Sequence, residues 1–327
     1  MDSPKPQQRK PRFSRISDQR SIAIQPRDTQ IILAVARYRF LSSQAIISMT
    51  EGSRQGILRR LQRLFHAGFL DRPSAQIKPK TIGSEPMVYA LGAKGAEWLR
   101  IQKKKNFAAS NRTRSDREVK NIFLDHALMV SNFMAAVELA CRSIRNLEFI
   151  RQETLINNFN GLSKFRDRIN PLCGRFHSEY CFNGKTQDIK LSVLPDQIFG
   201  LYFPQDPPGK NMLFFALEAD RSTMPVMRSN FNASSYFKKM LGYWEGYRQN
   251  IFEELYGFKA FRVLTITKSQ DRINNMINAG KQVDVRKKGS RMFLFAAAND
   301  FNLDYPVRVF KKVWRNGRDG ELISIIE

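Results

Sequence analysis

Histidine and cysteine are scarce in this chain, at three residues each among 327, and the scarcity removes several kinds of chemistry. Three histidines, none adjacent to another, give no local histidine cluster of the kind that holds a catalytic metal. Cys141, Cys173 and Cys181 cannot form a disulfide framework in a chain of this length, which agrees with a reducing compartment. Cys173, His177 and Cys181 fall close together, but their spacing matches no standard zinc ligand set. A Gly-rich phosphate loop followed by lysine is missing, which argues against an ATP-driven motor. No apolar run approaches the length needed to cross a bilayer. The start, "MDSPKPQQRKPRFSRISDQR", is basic without an apolar core, so no signal peptide is read and a cytoplasmic protein with no membrane partner is expected.

Acidic residues are the other shortage: 30 Asp and Glu stand against 54 Lys and Arg, a net charge of +24. Residues 1–120 hold 25 basic and 9 acidic side chains, so +16 of that excess lies in the first third. Such a segment suits a polyanion, because each cation placed on a phosphate releases condensed counterions. Double-stranded DNA is favoured over anionic lipid, since the basic residues fall on a reading module rather than on an amphipathic surface helix.

That module follows a basic tail, residues 1–26, which reads as disordered. In residues 27–101, Asp28 can cap a helix through "TQIILAVARYRF", and Ser42 or Ser43 can cap a short second helix. A third helix enters at Ser53 and leaves at Gly68. Ile57, Leu58, Leu61, Leu64 and Phe65 share its apolar face. Gln55, Arg59, Gln62, Arg63 and His66 point away, with Arg60 at the border. Arginine can pair with guanine edges or phosphates and glutamine with adenine, so this face suits DNA recognition. A strand over Phe69–Arg72, a loop with Lys78 and Lys80, a returning strand "MVYAL" and a helix "AKGAEWLR" complete a winged helix-turn-helix order. Gln55, Arg59, Arg60, Gln62, Arg63, Lys78 and Lys80 are the expected DNA contacts.

A basic linker, residues 102–118, leads to residues 119–327, whose strands interrupted by helices predict an α/β domain. A helix over "NIFLDHALMVSNFMAAVELACRS" opens it. Strands are expected in "LEFIRQETL", "DIKLSVLPD", "QIFGLYF" and "NMLFFALEAD", then a long helix from Ser229 to Leu255, a strand "FRVLTIT", a short helix, a strand "MFLFAAA" and a C-terminal hairpin turning at Asn316 to Gly320. Asp196 leads one strand, while Glu218 and Asp220 share one face at the end of the next. Three acids so placed can converge on one divalent cation, Mg²⁺ or Mn²⁺. Lys239 and Tyr243 are four apart on the long helix and share a face.

The order of Pro195-Asp196, Glu218 and Asp220 resembles the PD-(D/E)xK nuclease superfamily, with Asp220 where that pattern carries lysine. A helix lysine, Lys239, can replace it. Together with the opening winged helix, His126 in "LDHALMV", "PDQIF", "EADRST" and "KMLGY", the chain over roughly residues 27–260 resembles the replication-relaxation family, close to plasmid mobilisation relaxases of the MobC type. The resemblance implies a winged helix followed by a restriction-endonuclease-like α/β domain that nicks one strand at a transfer origin. It places catalysis on Asp196, Glu218, Asp220, Lys239 and His126, with the three acids holding the metal. Relaxosome or replication proteins, a coupling ATPase and a second copy of the chain are the implied partners. The nucleophile stays open between metal-bound water, Tyr243 and an acid. The alternative is a non-catalytic regulator or accessory protein of replication or transfer with a nuclease-like fold.

Overall fold

The computed structural model describes residues 11–16, 22–77, 85–103, 116–158, 172–182, 184–230, 233–284 and 286–327. Lys78 and Lys80 lie outside them. The chain divides into two compact units, residues 1–135 and 136–327.

The first unit contains α1 (Pro26–Tyr38), β1 (Phe40–Ser42), α2 (Ser43–Met49), α3 (Arg54–His66), β2 (Leu70–Asp71), β3 (Val88–Leu91) and α4 (Ala93–Lys103). The strands form an antiparallel sheet in the order β1-β3-β2. Helix α1 begins at Pro26, earlier than Asp28 suggested, because proline is preorganised for a first helical turn whose N–H groups lack partners anyway. Asp28 then sits in the first turn, accepting from the Gln25 N–H at 2.9 Å. Ser42 caps α2 and Ser53 caps α3, their hydroxyls accepting from the N–H groups of Ala45 and Gly56. Gly68 ends the third helix with φ +85°, a conformation costly for any residue with a Cβ.

Gly92 answers a different need. It joins β3 to α4 against the turn after α3, donating its N–H to the Phe69 carbonyl at 2.9 Å. A Cβ there would stand 2.3 Å from the Gly68 carbonyl oxygen and 2.9 Å from the Phe69 carbonyl carbon. Both are backbone atoms, so the chain itself would have to move. Gly92→Ala is therefore expected to destabilise the first unit by about 1–3 kcal/mol, the usual cost of overpacking. Urea titration of the variant measures this.

Helix α5 (Asn121–Ser143) contributes its first half to the first unit, where Leu124 joins Phe40, Ala75, Val88 and Ala90 in a small core. Among the described residues it is the one helix long and apolar enough to cross a membrane by length and composition, an exception to the sequence expectation. Its second half is that of a core helix: Phe133, Met134, Ala136, Val137 and Ala140 are buried. Buried Glu138 there accepts from Arg142 and Arg151 at 2.6 and 2.7 Å.

The second unit is mixed α/β. Its elements are β4 (Glu148–Ile150), α6 (Gln152–Asn158), β5 (Gly174–Phe182), β6 (Lys185–Val193), β7 (Gln197–Tyr202), β8 (Met212–Ala219), α7 (Tyr236–Arg248), α8 (Ile251–Tyr256), β9 (Arg262–Thr267), α9 (Gln270–Gly280), β10 (Phe293–Ala297), β11 (Trp314–Asn316) and β12 (Leu322–Ile323). A seven-stranded sheet runs β12-β11-β10-β9-β8-β7-β4, parallel through β8, β9 and β10 and antiparallel elsewhere, while β5 and β6 form a separate hairpin. The C-terminal hairpin forms as expected from β11 and β12, with Asn316 accepting from the N–H groups of Arg318 and Asp319 across its turn.

Three expectations are corrected. "LEFIRQETL" is only a three-residue strand, and the chain after it is the helix α6. "GRFHSEYCF" is a strand that sequence reading did not assign. The long helix starts at Tyr236 and breaks at Asn250, whose φ of 59° is left-handed, a conformation asparagine tolerates better than most residues.

One face of the sheet carries Ile198, Ala216, Val263, Phe293 and Phe295, which pack with α7 and α9 side chains such as Phe237, Met240, Ile273 and Met276. Glu218 and Thr265 extend these same alternating rows, which places polar groups beneath a covering helix.

Candidate functional site

Asp196 and Glu218 come together because β7 and β8 are antiparallel with Gln197 opposite Leu217. The Asp196 N–H donates to the Leu217 carbonyl at 3.0 Å, and its carboxylate accepts from the Ala219 N–H at 2.8 Å. This double link fixes the first acid beside the second. Glu218 is 1% exposed. One of its oxygens accepts from the Lys239 ammonium at 2.6 Å and the other from the Tyr243 hydroxyl at 2.6 Å.

Both donors lie on α7, four residues apart, so one helical turn supplies a cation and a neutral hydroxyl to one carboxylate. Burial pushes the Glu218 carboxyl up to about 7; Lys239 pulls the other way, and the nearby charge of Asp196 adds to the rise. Burial works against the Lys239 ammonium too, yet the charges of Glu218 and Asp196 outweigh it and hold its pKa above the ordinary lysine value. Lys239 keeps 30% of its side chain exposed, so of the pair the lysine side chain is the one that reaches solvent. Tyr243 is 1% exposed, and burial followed by the Glu218 charge raises its phenol far above the ordinary value. As it stands, that hydroxyl is a donor to Glu218 and not an ionised nucleophile.

Asp220 does something else. Its carboxylate accepts from both Arg272 nitrogens, Nε and Nη2, each at 3.0 Å, and from the Thr267 hydroxyl at 2.7 Å. Its N–H donates to the Ile266 carbonyl at 2.8 Å. Strand β8 is parallel to β9, which brings Thr267 and the start of α9 alongside. The acid expected as a third metal ligand is thus the anchor of a bidentate arginine, and Arg272 also donates to the Met224 carbonyl, tying down the chain beyond β8. Among the described residues no group of three His, Cys, Asp or Glu side chains is placed to hold a metal ion. The expected three-carboxylate set does not fit this geometry; Asp196 and Glu218 remain as a neighbouring pair of hard oxygen donors.

His126 lies on the first half of α5, in the first unit, whereas the Asp196–Glu218–Lys239 cluster belongs to the second. Sequence reading missed Arg272. Its only linear signal is a place one turn into a helix that follows a strand, and its value depends on β9 being the neighbour of β8. His177 faces Asp188 across the β5–β6 hairpin at 3.1 Å, and Cys173 faces Ser192 at 3.6 Å.

On α3 the exposed residues are Arg54, Gln55, Leu58, Arg59 and Arg63, with Gln62 half-buried. Two expectations for this helix are corrected, and a third residue changes sides. Arg60 is buried, its Nε donating to Asp28 at 2.8 Å and its Nη2 to the second oxygen of the same carboxylate and to the Ala23 carbonyl at 3.1 Å, so it serves the α1–α3 contact and not the outer face. His66 is 8% exposed, because the chain folds back immediately after it into the turn at Gly68. Leu58, assigned to the apolar face, is 37% exposed.

Comparison with known proteins gives three results. No curated protein matches the chain. Among solved structures, that of the SdaI restriction endonuclease is similar at 13% identity over 84% of this chain and 85% of that one, but with a TM-score of 0.20 the likeness carries no argument about fold. The family model described as replication-relaxation matches residues 33–260, a span that contains α3, Asp196, Glu218 and Lys239. The chain belongs to the replication-relaxation family.

Proposed function

We propose that the protein processes DNA in the replication or mobilisation of a genetic element, cutting one strand at a specific site in the manner of MobC-type relaxases. The first unit is read as a winged helix that selects the site through α3, and the second as a restriction-endonuclease-like domain. One observation carries the catalytic part: Glu218, buried and held by Lys239 and Tyr243, beside Asp196 on the adjoining strand.

In this reading Tyr243 orients the Glu218 carboxylate. Lys239 keeps its proton on Nζ and presents a positive charge to a phosphodiester, where negative charge builds in the transition state. Asp196 and Glu218 are the residues that would hold Mg²⁺ or Mn²⁺, cations that prefer carboxylate oxygen. Such an ion would supply Lewis-acid polarisation of the phosphate. The test is conversion of supercoiled plasmid carrying the element's own origin to open circles in buffer with either cation. A protein that binds that origin but leaves it supercoiled, with replication or relaxosome partners supplied, overturns the reading.

A second reading, a non-catalytic regulator of replication or transfer, draws on the commitment of Asp220 to Arg272, which removes one of the acids assigned to chemistry.

For the reading helix, Arg59→Ala with Arg63→Ala is expected to weaken specific duplex binding by about 1–3 kcal/mol for each bidentate arginine–base pairing removed. Binding isotherms at several salt concentrations measure it. Wild-type affinity in the double variant would remove α3 from the interface.

A further inference from the structure

The loop between α9 and β10 and the turn of the C-terminal hairpin are locked together, backbone against backbone. Gly289, with φ +71°, comes so near the hairpin that a Cβ on it would stand 2.3 Å from the Gly317 carbonyl oxygen and 3.2 Å from the Arg318 Cα. Gly317 in turn donates its N–H to the Phe293 carbonyl at 2.8 Å. Two turns distant in sequence thus become one surface.

That surface is cationic. Residues 286–291, "RKKGSR", carry four basic side chains and no acid, and Arg318 adds a fifth across the contact. Lys287, Lys288, Arg291 and Arg318 are all exposed, and among the described residues none of the four is in an ion pair. Three acids stand nearby in sequence, Asp284, Asp319 and Glu321, and two of them are spent on turns. Asp284 accepts from the Arg286 N–H at 3.1 Å, and Asp319 accepts from the Asn316 amide at 2.6 Å and the Glu321 N–H at 2.9 Å.

A second observation points the same way. Arg262, which opens β9, is half-buried, and its Nη1 has no hydrogen-bond partner. Burial, and then the charge of Arg291, lower its pKa below the ordinary arginine value. Arg291 is thus held toward a second guanidinium, a like-charge approach that costs free energy until an anion joins it. The sheet sets that anion apart from the phosphate to be cut. Strands β8, β9 and β10 are parallel, with Ala216 level with Val263 and Val263 level with Phe293. Glu218 lies two residues beyond that level and Arg291 two residues before it, a separation of about 13 Å along the strands alone. All these cations also lie beyond residue 260, where the match to the replication-relaxation family ends.

We infer that Lys287, Lys288, Arg291 and Arg318 form a second phosphate-binding surface, which holds a stretch of duplex DNA away from the bond to be cut. This rests on the DNA-binding part of the function proposed above. DNA suits the surface better than an anionic bilayer, because among the described residues of 281–291 and 316–320 no large apolar side chain is exposed that could enter lipid. The surface adds affinity without base selection, since phosphate contacts position a protein but carry no sequence information directly.

The experiment uses the full chain and a duplex of arbitrary sequence, about 30 base pairs long, with binding measured by fluorescence anisotropy over a range of salt. K287N/K288Q/R291Q/R318Q is expected to weaken binding and make the slope of log K against log salt shallower by about 3 to 4, near 0.9 for each phosphate contact. Asparagine is chosen at 287 because the backbone there has φ 54°, which it tolerates better than most residues. R175Q/K190Q/K210Q/K259Q removes as many exposed cations from elsewhere on the same unit and should change the slope by no more than about one contact's worth. Circular dichroism confirms that each variant is folded. Wild-type affinity and slope in the first variant, or equal changes in the two variants, would overturn the surface. So would a first variant that keeps its duplex binding but loses binding to vesicles containing phosphatidylglycerol, which would make the partner a membrane. A wild-type chain that binds no duplex at all would instead overturn the DNA reading, and the surface with it.

Discussion

Glu218→Gln is expected to leave supercoiled plasmid uncut while the protein still binds duplex DNA, on the nicking function proposed above. The amide keeps the shape of the carboxylate, and its single oxygen can accept from Lys239 while its NH2 donates to the Tyr243 oxygen, but it lacks the charge that pairs with the ammonium and that, with Asp196, would hold a cation. A fall on the order of 10²–10³-fold in nicking rate is expected, the scale seen when one preorganised electrostatic group is removed from an active site. Agarose electrophoresis of nicked and supercoiled forms reads the rate, and a mobility shift reads binding. Equal nicking by the variant would remove Glu218 from the chemistry.

The same substitution has a stability signature that needs no substrate. With its carboxyl pushed up to about 7 by burial, Glu218 stays protonated in the folded chain over a range where the unfolded chain has already lost that proton. The unfolded state then binds fewer protons, so stability falls as pH rises from the ordinary carboxyl value through about 7 and is level above it. The size of this fall is about 3 kcal/mol at most, from roughly 1.4 kcal/mol per unit of pKa. Lys239, with its pKa above the ordinary lysine value, contributes stability that is kept throughout this window and lost only at more alkaline pH. Urea unfolding in chelator at pH 5 and pH 8 should show the fall in the wild type and a smaller one in Glu218→Gln.

Arg272→Ala is expected to cost about 3–5 kcal/mol of folding stability, since it leaves the Asp220 carboxylate buried without its cation. Asp220 is 8% exposed and would keep the Thr267 hydroxyl, the Ser222 N–H and the Ser222 hydroxyl, at 2.7, 3.1 and 3.5 Å, as neutral donors. The pair is also a tie between β8 and α9, and the substitution removes the Arg272 bond to the Met224 carbonyl in the segment that leads into α7. Asp220→Asn in the same chain should restore part of the stability, because a neutral amide needs no counter-charge. The non-additivity measured in such a cycle is the coupling between the two residues, commonly about 0.5–3 kcal/mol for contacting pairs. Additive single and double variants would show that the bidentate pair contributes nothing of its own. If Asp220 instead served catalysis directly, Asp220→Asn would abolish nicking while leaving stability nearly unchanged, which separates the two roles.

The sequence by itself determined the elements whose signals are local. Ser42 and Ser53 announced two helix starts, Gly68 one helix end, and the short apolar runs in "QIFGLYF" and "NMLFFALEAD" two strands of the central sheet, because caps, left-handed turns and short buried runs are written within a few residues. It also determined that Lys239 and Tyr243 share a helix face, which follows from 3.6 residues per turn alone. What each charged residue does was decided by tertiary structure. Arg59 and Arg60 are neighbours in sequence, yet one faces solvent and the other is buried on Asp28, thirty-two residues away. Glu218 and Asp220 share a strand face, yet α7 brings lysine and tyrosine to the first while β9 and α9 bring threonine and arginine to the second. Which elements become neighbours is set by the order of strands in the sheet, a long-range property that local periodicity does not encode. A buried carboxylate therefore takes its role from the donors that the sheet order delivers to it.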